Sequence, residues 1–265
     1  MPDTSKVTAE HPDVRRVAEL ISGADRVVVL TGAGVSTDSG IPDFRGPQGV
    51  WTRNPRAERL STLQHYMADP EVRAEVWRGR LENPVWSAQP GPGHRVIAEM
   101  ERRGYLDTLI TQNIDGLHEI AGSSADRTIE IHGTIRDVVC MSCGERGPAE
   151  VTLERVRRGE RDPACRSCEG ILKSATISFG QQLIPEDLRR SESAAANCDL
   201  FLAIGTSLVV YPVAALPQIA LDARARLVII NGEPTPYDGV ADVVLIDRIG
   251  EVLPAIATHW PRRVQ

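Results

Sequence analysis

The amino-acid sequence predicts an α/β protein with a doubly wound parallel sheet and a small domain inserted into it. Short apolar stretches with the length of buried strands alternate with helical stretches along most of the chain. Several of these strands run directly into polar residues, as expected where parallel strands end at a ligand site. Over 139–174 the alternation gives way to short, polar, cysteine-bearing sequence, which indicates an insert.

The chain begins with a polar tail and a predicted amphipathic helix that ends at Gly23. Residues 27–30 follow as a buried strand of apolar residues. Gly32 and Gly34 then allow a tight turn and a close backbone approach, and Ser36 can place its hydroxyl at the opening of the next helix. A strand, a glycine turn and a helix N-terminus together suit a pyrophosphate.

The sequence of the glycine turn alone does not establish the function of the turn. Thr37 stands at the third glycine position of G-x-G-x-x-G, and no acidic residue closes the next strand to hold a ribose. By itself the turn is equally consistent with a nucleotide loop and with a structural turn. It runs into a polar and aromatic loop at 41–46, which a dinucleotide dehydrogenase does not need.

The remaining elements continue the alternation. After Trp51 the chain is irregular and arginine-rich, and Asp69-Pro70 opens a predicted helix over 71–81. Further helices are predicted at 94–103, 186–197, 212–222 and 250–258. The predicted strands that follow the first one are 106–110, 128–131, 200–204, 227–230 and 243–246.

Five groups of polar residues stand at the ends of apolar strands: 32–36, 112–115, His132, 205–207 and 231–233. In a parallel sheet the carboxyl ends of the strands lie along one edge, where ligands bind. Any one group could be only a strand-to-helix cap. Five groups on one edge indicate a shared ligand site.

Composition and charge exclude some classes of function. The chain has 265 residues, 42% hydrophobic and 25% charged, as in an ordinary globular protein. Its net charge of −6 disfavours nucleic acids and membrane surfaces as partners. The N-terminus lacks the apolar segment of a secretion signal, and no window reaches the length of a transmembrane helix. We therefore expect a soluble, cytoplasmic protein without nucleic-acid or membrane partners, and no oligomeric state is assigned from the sequence.

Two C-x-x-C pairs separated by 21 residues provide a second strong signal. Cys140, Cys143, Cys165 and Cys168 have the arrangement of a zinc ribbon, in which each pair offers two thiolates to one tetrahedral ion. Four sulfur ligands leave no coordination position for a substrate, so we expect one structural Zn²⁺ per chain. Disulfides are the alternative, and a cytoplasmic location disfavours them. Cys198 is interpreted as a buried core thiol rather than a nucleophile.

Five stretches of this sequence together resemble a known family. They are GAGVSTDSGIPDFRG, TQNIDGLHEIAG, the IHGT box, the paired C-x-x-C and GTSLVVYP, in the family's order. The combination is similar to the sirtuins of bacterial type, which are NAD-dependent protein lysine deacylases. The resemblance covers nearly the whole chain and implies a Rossmann-like large domain. It also implies a small zinc-ribbon and helical domain, with NAD⁺ and acyl-lysine entering the cleft between the two.

On this resemblance the Rossmann-like domain is discontinuous and comprises 12–48, 82–135 and 176–262. The small domain has a helical part at 49–81 and a zinc-ribbon part at 136–175.

The resemblance also implies residue roles. His132 matches the general base, and Asn113 is the second residue assigned to catalysis. Without the family, a lone histidine at a strand end would more often be a core or capping residue. The residues expected to bind the cofactor lie in the loops at the strand ends and are Gly32, Ala33, Gly34, Ser36, Ile41, Asp43, Phe44, Arg45, Gln112, Asn113, Ile114, Asp115, Gly205, Thr206, Ser207, Asn231, Gly232 and Glu233.

The implied chemistry suits these residues. The sequence offers no evident Ser–His–Asp set and no open metal site, so direct hydrolysis of an amide lacks a nucleophile. The resemblance implies that NAD⁺ supplies the electrophile: nicotinamide leaves, the acyl oxygen attacks the ribose, and His132 deprotonates a ribose hydroxyl. A neutral imidazole near physiological pH suits that task. The products would be lysine, nicotinamide and O-acyl-ADP-ribose.

Departures from the family pattern concern the substrate. Desuccinylating sirtuins carry a Tyr-x-x-Arg pair, whereas here Trp77 stands at the tyrosine position and Arg80 at the arginine position. An indole can donate a hydrogen bond but cannot supply a phenol, so we expect neutral acyl groups to be preferred. Phe179 and Gly180 match the segment that pairs with a substrate peptide, where Gln181 replaces a common glutamate.

Two other functions remain open on the sequence alone. One is a protein mono-ADP-ribosyltransferase that uses the same NAD⁺ site. The other is a non-catalytic NAD- or peptide-binding module, against which the presence of His132, Asn113 and Asp115 argues.

Overall fold

The computed structural model describes residues 7–43, 49 and 60–261, and two sheets organise them. The strands, in chain order, are β1 (Val27–Thr31), β2 (Leu106–Thr111), β3 (Thr128–Glu130), β4 (Gly133–Cys140), β5 (Arg146–Pro148), β6 (Leu172–Thr176), β7 (Leu200–Ile204), β8 (Arg226–Asn231) and β9 (Val243–Ile246). The larger sheet is parallel, with six strands in the order β3-β2-β1-β7-β8-β9.

Helices cover both faces of the larger sheet and support the smaller one. In chain order they are α1 (Pro12–Gly23), α2 (Leu63–Ala68), α3 (Pro70–Leu81), α4 (Pro92–Arg102), α5 (Leu117–Ala121), α6 (Ala149–Arg157), α7 (Pro185–Asn197), α8 (Leu216–Asp222) and α9 (Ile249–Ala257). Short 3₁₀ helices lie at Ala33–Ser39, Pro84–Trp86 and Val213–Ala215. None of the helices in the described ranges combines the length and apolar character that crossing a membrane requires.

The strands of the larger sheet bury both faces, which confirms the predicted doubly wound sheet. Successive side chains of a strand point to opposite faces. On β1, Val27 and Val29 pack into a cluster with α1, α4 and α9. Val28 and Leu30 pack into a second cluster with residues of α7 and α8. Helices on both faces explain why the strands read as continuous apolar runs in the sequence.

The strand order reverses its direction at one position of the sheet, between β1 and β7. From β1 the chain adds β2 and then β3 on one side, and β7, β8 and β9 on the other. The neighbours β1 and β7 therefore form the topological switch point, where the loops that leave the two strands diverge and open a crevice. In open parallel sheets this crevice is the usual ligand site.

The smaller sheet is antiparallel, in the order β5-β4-β6, and forms what we call the cysteine module together with α6 and the cysteine hairpins. Its core joins Val138, Leu153 and Leu172 to Trp77 of α3. Helix α3 thus shares an apolar core with the module. The domain boundaries themselves stay a prediction.

The sequence analysis did not predict three of the helices that the structure contains. Helix α2 lies in the stretch that we predicted to be irregular, α5 follows the 112–116 loop, and α6 lies inside the cysteine-bearing insert. Helices α2 and α5 are too short for a helical period to show. Helix α6 buries only Ala149, Thr152 and Leu153, so its apolar stripe is weak in the sequence.

Candidate active site

The glycine turn after β1 packs directly on the loop after β7. The amide of Gly32 donates to the carbonyl of Ile204 (3.0 Å), and the amide of Gly34 donates to that of Gly205 (2.9 Å). A Cβ added to Gly32 would lie 2.6 Å from the Gly205 oxygen, and one on Gly34 would lie 2.8 Å from the Gly205 Cα. These glycines are therefore required for contact between the two loops at the switch point. The segment that follows is a seven-residue 3₁₀ helix, Ala33–Ser39, at the position where the sequence predicts the opening of a helix.

Ser36 connects this turn to the loop after β2. Its Oγ donates to Asp115 Oδ2 (2.7 Å) and accepts from Asn113 Nδ2 (3.0 Å). The same amide group of Asn113 also donates to the Gly32 carbonyl (3.1 Å). Asp115 Oδ1 accepts from the amide of Leu117 (2.9 Å). All three polar side chains are buried, so the bonds fix both loops in one arrangement.

His94 completes this network and was not singled out in the sequence. Its Nδ1 accepts from the Gly91 amide (3.2 Å), so Nε2, 3.3 Å from Ser36 Oγ, carries the proton and donates to that oxygen. Burial lowers the pKa of His94 to about 4, with the charge of Asp115 opposing the shift. A neutral His94 therefore orients Ser36 throughout the physiological pH range. The sequence signal for it is weak, because Ser36 lies 58 positions away.

His118 lies against His94 but points to a different partner. The two rings meet edge to face, with centroids 4.7 Å apart. His118 Nε2 lies 3.0 Å from Thr31 Oγ1, which donates to Thr111 Oγ1 (2.8 Å). Thr111 Oγ1 in turn accepts from the Asn113 amide (3.1 Å). His118 thus supports the 112–116 loop through Thr31 and Thr111.

His132 follows β3 and has a defined tautomer. Its Nδ1 lies 3.1 Å from the main-chain carbonyl of Gln112, which can only accept, so Nδ1 carries the proton. Nε2 is then the unprotonated nitrogen. Burial lowers the pKa of His132 below its ordinary value, and the bond to Gln112 partly opposes the shift. The side chain is therefore a neutral imidazole with a basic Nε2 at neutral pH.

The loops after β2, β7 and β8 place further predicted residues on the same edge. Gln112 Nε2 donates to Thr206 Oγ1 (2.8 Å), which joins the loops on either side of β1. Asn231 Nδ2 donates to the Glu233 carbonyl (2.7 Å) at the end of β8. Ser207 is exposed beside the buried Thr206, whereas Ile114 is half-buried. The polar groups form a continuous edge from β3 to β8, and this extent fits a dinucleotide laid across the switch point.

The loop at 41–46, which contributes four of the residues predicted to bind the cofactor, is described only in part. Ile41 and Asp43 are half-buried, and the Ile41 amide donates to the Ser36 carbonyl (3.3 Å). Phe44 and Arg45 lie outside the described residues.

The four predicted metal ligands come together in the cysteine module. The sulfur atoms of Cys140, Cys143, Cys165 and Cys168 all lie within 4.8 Å of one another. Cys140 and Cys168 are 3.5 Å apart, and Cys143 and Cys165 are 3.9 Å apart. Zinc–sulfur bonds of about 2.3 Å in a tetrahedron separate the sulfurs by about 3.8 Å. All five cysteines are free thiols, so the donor set fits a structural zinc ion rather than disulfides.

The residues predicted to contact the acyl-lysine substrate lie in two places. Trp77 is 1% exposed and packs inside the cysteine module. Arg80 lies near Tyr66 and Lys173, and burial lowers its pKa. Phe179 is 38% exposed, and its main chain pairs with Ser61 and Leu63 (2.9 Å each). Gly180 follows with a positive φ of 80°. The role of Trp77 and Arg80 in acyl selection stays a prediction.

Together these features define a class of protein: an α/β enzyme with a dinucleotide site at its switch point and a four-cysteine metal module beside the sheet. Within this class, a model described as Sir2 family matches residues 32–212 of the chain. The protein therefore belongs to the Sir2 family and is an NAD-dependent protein deacetylase or deacylase.

Named relatives support this placement over nearly the whole chain. The chain is 49% identical over 236 residues to NAD-dependent protein deacetylase 2 of Streptomyces coelicolor, which covers 89% of this chain and 98% of the relative. It is 41% identical over 251 residues to NAD-dependent protein deacylase 2 of Pyrobaculum aerophilum, covering 94% and 96%. A solved structure described as a Sir2–p53 peptide–NAD⁺ complex superposes with a TM-score of 0.82 at 32% identity and covers 92% and 96% of the two chains.

Proposed function

We propose that this protein removes neutral acyl groups, acetyl above all, from lysine side chains of proteins, with His132 as the general base. The observation that carries this proposal is the bond between His132 Nδ1 and the Gln112 carbonyl (3.1 Å). It leaves Nε2 as a basic nitrogen on the polar edge of the sheet, and burial keeps the ring neutral. A positioned base of this kind is what acyl transfer to a hydroxyl requires.

NAD⁺, when bound, supplies the electrophilic ribose carbon that takes the acyl oxygen. The glycine turn and the Ala33–Ser39 helix, supported by Ser36, would hold its pyrophosphate. Thr206, Ser207, Asn231, Gly232 and Glu233 would line the adenosine half. Their positions at the ends of β7 and β8 support this assignment.

Asn113, Ile114 and Asp115 would hold the nicotinamide half and the adjoining ribose. The buried bonds from Ser36 to Asp115 and from Asn113 to Ser36 support this proposal, because they set the loop before any ligand arrives. Each Asp115 oxygen has one bond, to Ser36 or to Leu117, and keeps a second lone pair. Asp115 can therefore accept from a carboxamide without breaking the network.

The peptide part of the substrate would pair with the segment at Phe179 and Gly180. Ser61 and Leu63 already bond to one main-chain edge of Phe179. A substrate strand would extend this small pairing, and main-chain bonds would give affinity that depends little on peptide sequence. Gln181 Oε1 accepts from the Ser178 amide (3.2 Å), so the residue that replaces the family glutamate supports the segment without a charge.

The preference for a neutral acyl group rests on Trp77 and Arg80. Succinyl brings a carboxylate, and burying this charge without full hydrogen bonding costs more than burying acetyl. Trp77 is enclosed in the module core, where it cannot take the part of a tyrosine hydroxyl. We expect a higher kcat/KM for acetyl-lysine than for succinyl-lysine peptide, and a smaller difference for Trp77→Tyr. Faster turnover of the succinyl peptide by the wild type would show that Arg80 acts without a phenolic partner.

Product analysis tests the reaction itself. The protein is incubated with NAD⁺ and an acetyl-lysine peptide, and the peptide and ADP-ribose products are identified by mass spectrometry. Deacylation gives the free-lysine peptide and O-acetyl-ADP-ribose in equal amounts. ADP-ribose attached to the peptide would indicate the transferase instead, and unchanged peptide with bound NAD⁺ would indicate a binding module.

We further propose a cytoplasmic location, because a four-thiolate zinc site must assemble from reduced cysteines. Detection of the protein mainly in a secreted or periplasmic fraction would contradict it.

A further inference from the structure

The side chain of Arg136, in strand β4, reaches the 112–116 loop and was not singled out in the sequence. It is half-buried, and its Nε donates to the main-chain carbonyl of Asp115 (3.1 Å). One residue earlier on β4, the amide of Ile135 donates to the carbonyl of Ile114 (2.8 Å). Two consecutive carbonyls of the loop are therefore held from a strand of the cysteine module.

The guanidinium group of Arg136 is itself fixed by the segment after helix α3. Its Cζ lies 5.5 Å from the centroid of the Trp86 ring, and its Nη2 lies 3.5 Å from the carbonyl of Val85. Trp86 in turn donates from Nε1 to the carbonyl of Arg80 (2.6 Å), in the last turn of α3. A planar guanidinium that stacks on an aromatic ring keeps one orientation. The position of Nε is therefore set by α3 and Trp86 before any ligand is bound.

The peptide group between Asp115 and Gly116 is the part of the loop that depends on this arginine. Gly116 has a φ of 71°, and a glycine lets the peptide group before it rotate more freely than other residues do. A Cβ at residue 116 would lie 2.9 Å from Arg136 Nε, so the glycine also leaves room for the arginine. Without Arg136, the Asp115 carbonyl would lose this hydrogen bond, and the peptide group would lose its fixed orientation.

Asp115 is held in two ways as a result. Ser36 and the amide of Leu117 bind its carboxylate, at 2.7 and 2.9 Å, whereas Arg136 binds its carbonyl. The carboxylate bonds come from the glycine-turn segment and from the loop itself, and the carbonyl bond comes from the module. The placement of the carboxylate therefore depends on both regions of the molecule.

We propose that Arg136 is a positioning residue for the nicotinamide half of NAD⁺ and acts through the main chain of Asp115. The inference rests on the proposed function, which assigns 113–115 to that half. Among the described residues, the side-chain hydrogen bonds of the arginine reach the carbonyls of Asp115 and Val85. Neither residue belongs to the adenosine half at the ends of β7 and β8. Loss of Arg136 should therefore weaken one half of the cofactor site and spare the other.

Isothermal titration of the whole zinc-bound protein tests the proposal by comparing NAD⁺ with ADP-ribose, which lacks the nicotinamide. Arg136→Gln keeps a polar side chain and removes the guanidinium. We expect its Kd for NAD⁺ to rise at least about tenfold, because the ligand must then order the loop itself, and its Kd for ADP-ribose to change by less than about twofold. Equal weakening of both ligands, or an unchanged affinity for NAD⁺, would overturn the proposal.

Two further variants separate the geometry of the arginine from its charge. Arg136→Lys keeps the charge but has no planar group to stack on Trp86, so it should resemble Arg136→Gln. Full NAD⁺ affinity in the lysine variant would contradict the positioning role. Trp86→Leu removes the aromatic support and should weaken NAD⁺ by a smaller factor, about threefold.

Arg158→Gln is the matched control variant. Arg158 follows α6 at an exposed position and bonds to Glu154 (2.9 Å), so its loss should leave both affinities unchanged. Zinc content and melting temperature show whether each variant keeps the module folded. If Arg136→Gln does not, the same two-ligand comparison with Arg136→Lys decides the test.

Steady-state kinetics distinguishes this proposal from the proposed function. In Arg136→Gln the KM for NAD⁺ should rise, whereas the KM for the acetyl peptide should stay unchanged, because the Phe179 segment bonds to Ser61 and Leu63 instead. Deacylation with an unchanged KM for NAD⁺ would refute the positioning role and leave the function standing. A selective loss of NAD⁺ affinity in a protein that deacylates no peptide would refute the function and leave the positioning role standing.

Discussion

The six-stranded sheet and the cysteine module solve the problem of stability in different ways. The sheet buries apolar clusters on both faces, and each is larger than the single cluster of the module. The module compensates with four cysteines that converge on one point. A small unit with little apolar surface to bury needs such a cross-link, whereas the sheet does not. The polar side chains at the strand ends of the large sheet are therefore free to serve ligand binding. The cysteine side chains of the module instead stabilise its fold.

The largest expected effect is the loss of one zinc ligand, which should unfold the cysteine module and leave the parallel sheet folded. Cys140→Ser removes one of four ligands at a site where zinc contributes about 10–16 kcal/mol of apparent binding free energy in small zinc peptides. We expect loss of bound zinc, unfolding of the module and loss of activity, while the far-ultraviolet dichroism of the parallel sheet largely persists. Elemental analysis and dichroism measure both. Cys198→Ser, outside the cluster, is the control and should keep its zinc; a fully folded, zinc-free Cys140→Ser protein would contradict this view.

The second effect concerns the sheet edge and should leave stability almost unchanged. His132→Ala removes the proposed base, and a positioned acid–base group contributes roughly 100- to 10,000-fold to rate. The variant should melt close to the wild type and still bind NAD⁺. Steady-state kinetics with an acetyl peptide gives the ratio of kcat values. His259→Ala, which removes a bond to the Ala9 carbonyl, should retain full activity; a near-normal kcat for His132→Ala would exclude the assigned role.

A third change tests whether the glycines serve packing within the sheet region. In Gly32→Ala the new methyl would meet the main-chain oxygen of Gly205 and Thr206 Cβ at less than 3 Å, so backbone must shift. Such overpacking typically costs about 1–3 kcal/mol. Thermal denaturation should show a lower Tm, and titration should show weaker NAD⁺ binding. Gly23→Ala is the matched control, because its methyl meets nothing within 4 Å. Equal Tm values for the two variants would mean that the loops are not in contact.

The smallest effect is a difference in pH dependence. The folded pKa of Glu130 is about 7, above its ordinary value, because of burial and the neighbouring Glu119 and Asp115, with Arg146 opposing. Its contribution to stability is therefore fully present below its ordinary pKa and is lost as the pH rises through about 7. Relative to the wild type, Glu130→Gln should gain Tm between pH 5 and pH 8. Glu82→Gln, a matched change at an exposed position after α3, should show no such gain. A Tm curve for Glu130→Gln that runs parallel to that of the wild type would refute the pKa shift.

The sequence predicted the sheet well because its strands are buried on both faces. The strands at 200–204 and 243–246 have the predicted bounds, and the others differ by one or two residues. Continuous apolar runs between turn residues are a local signal, which can be recognised from the sequence alone. The short helices α2 and α5 give no such signal, and the tertiary contacts around them determine their structure.

The site residues show the same distinction between local sequence signals and contacts with distant parts of the chain. The strand-end loops were found because each follows an apolar strand directly. His94 was missed because its role depends on Ser36, far away in the chain, and its predicted helix explained it already. For Gly32 and Gly34, the sequence indicated close approach of a ligand. The structure adds close approach of Gly205, which no local pattern contains.

The bond from His132 Nδ1 to the carbonyl of Gln112 also bears on how this site can change in evolution. The acceptor is a main-chain atom, so every amino acid at position 112 supplies it. In a Ser–His–Asp set, by contrast, one substitution of the aspartate yields the wrong tautomer. Random substitutions at position 112 can therefore alter the side chain that contacts Thr206 while the histidine keeps its protonation pattern. A substitution at position 112 therefore needs no second change elsewhere to keep Nε2 of His132 unprotonated.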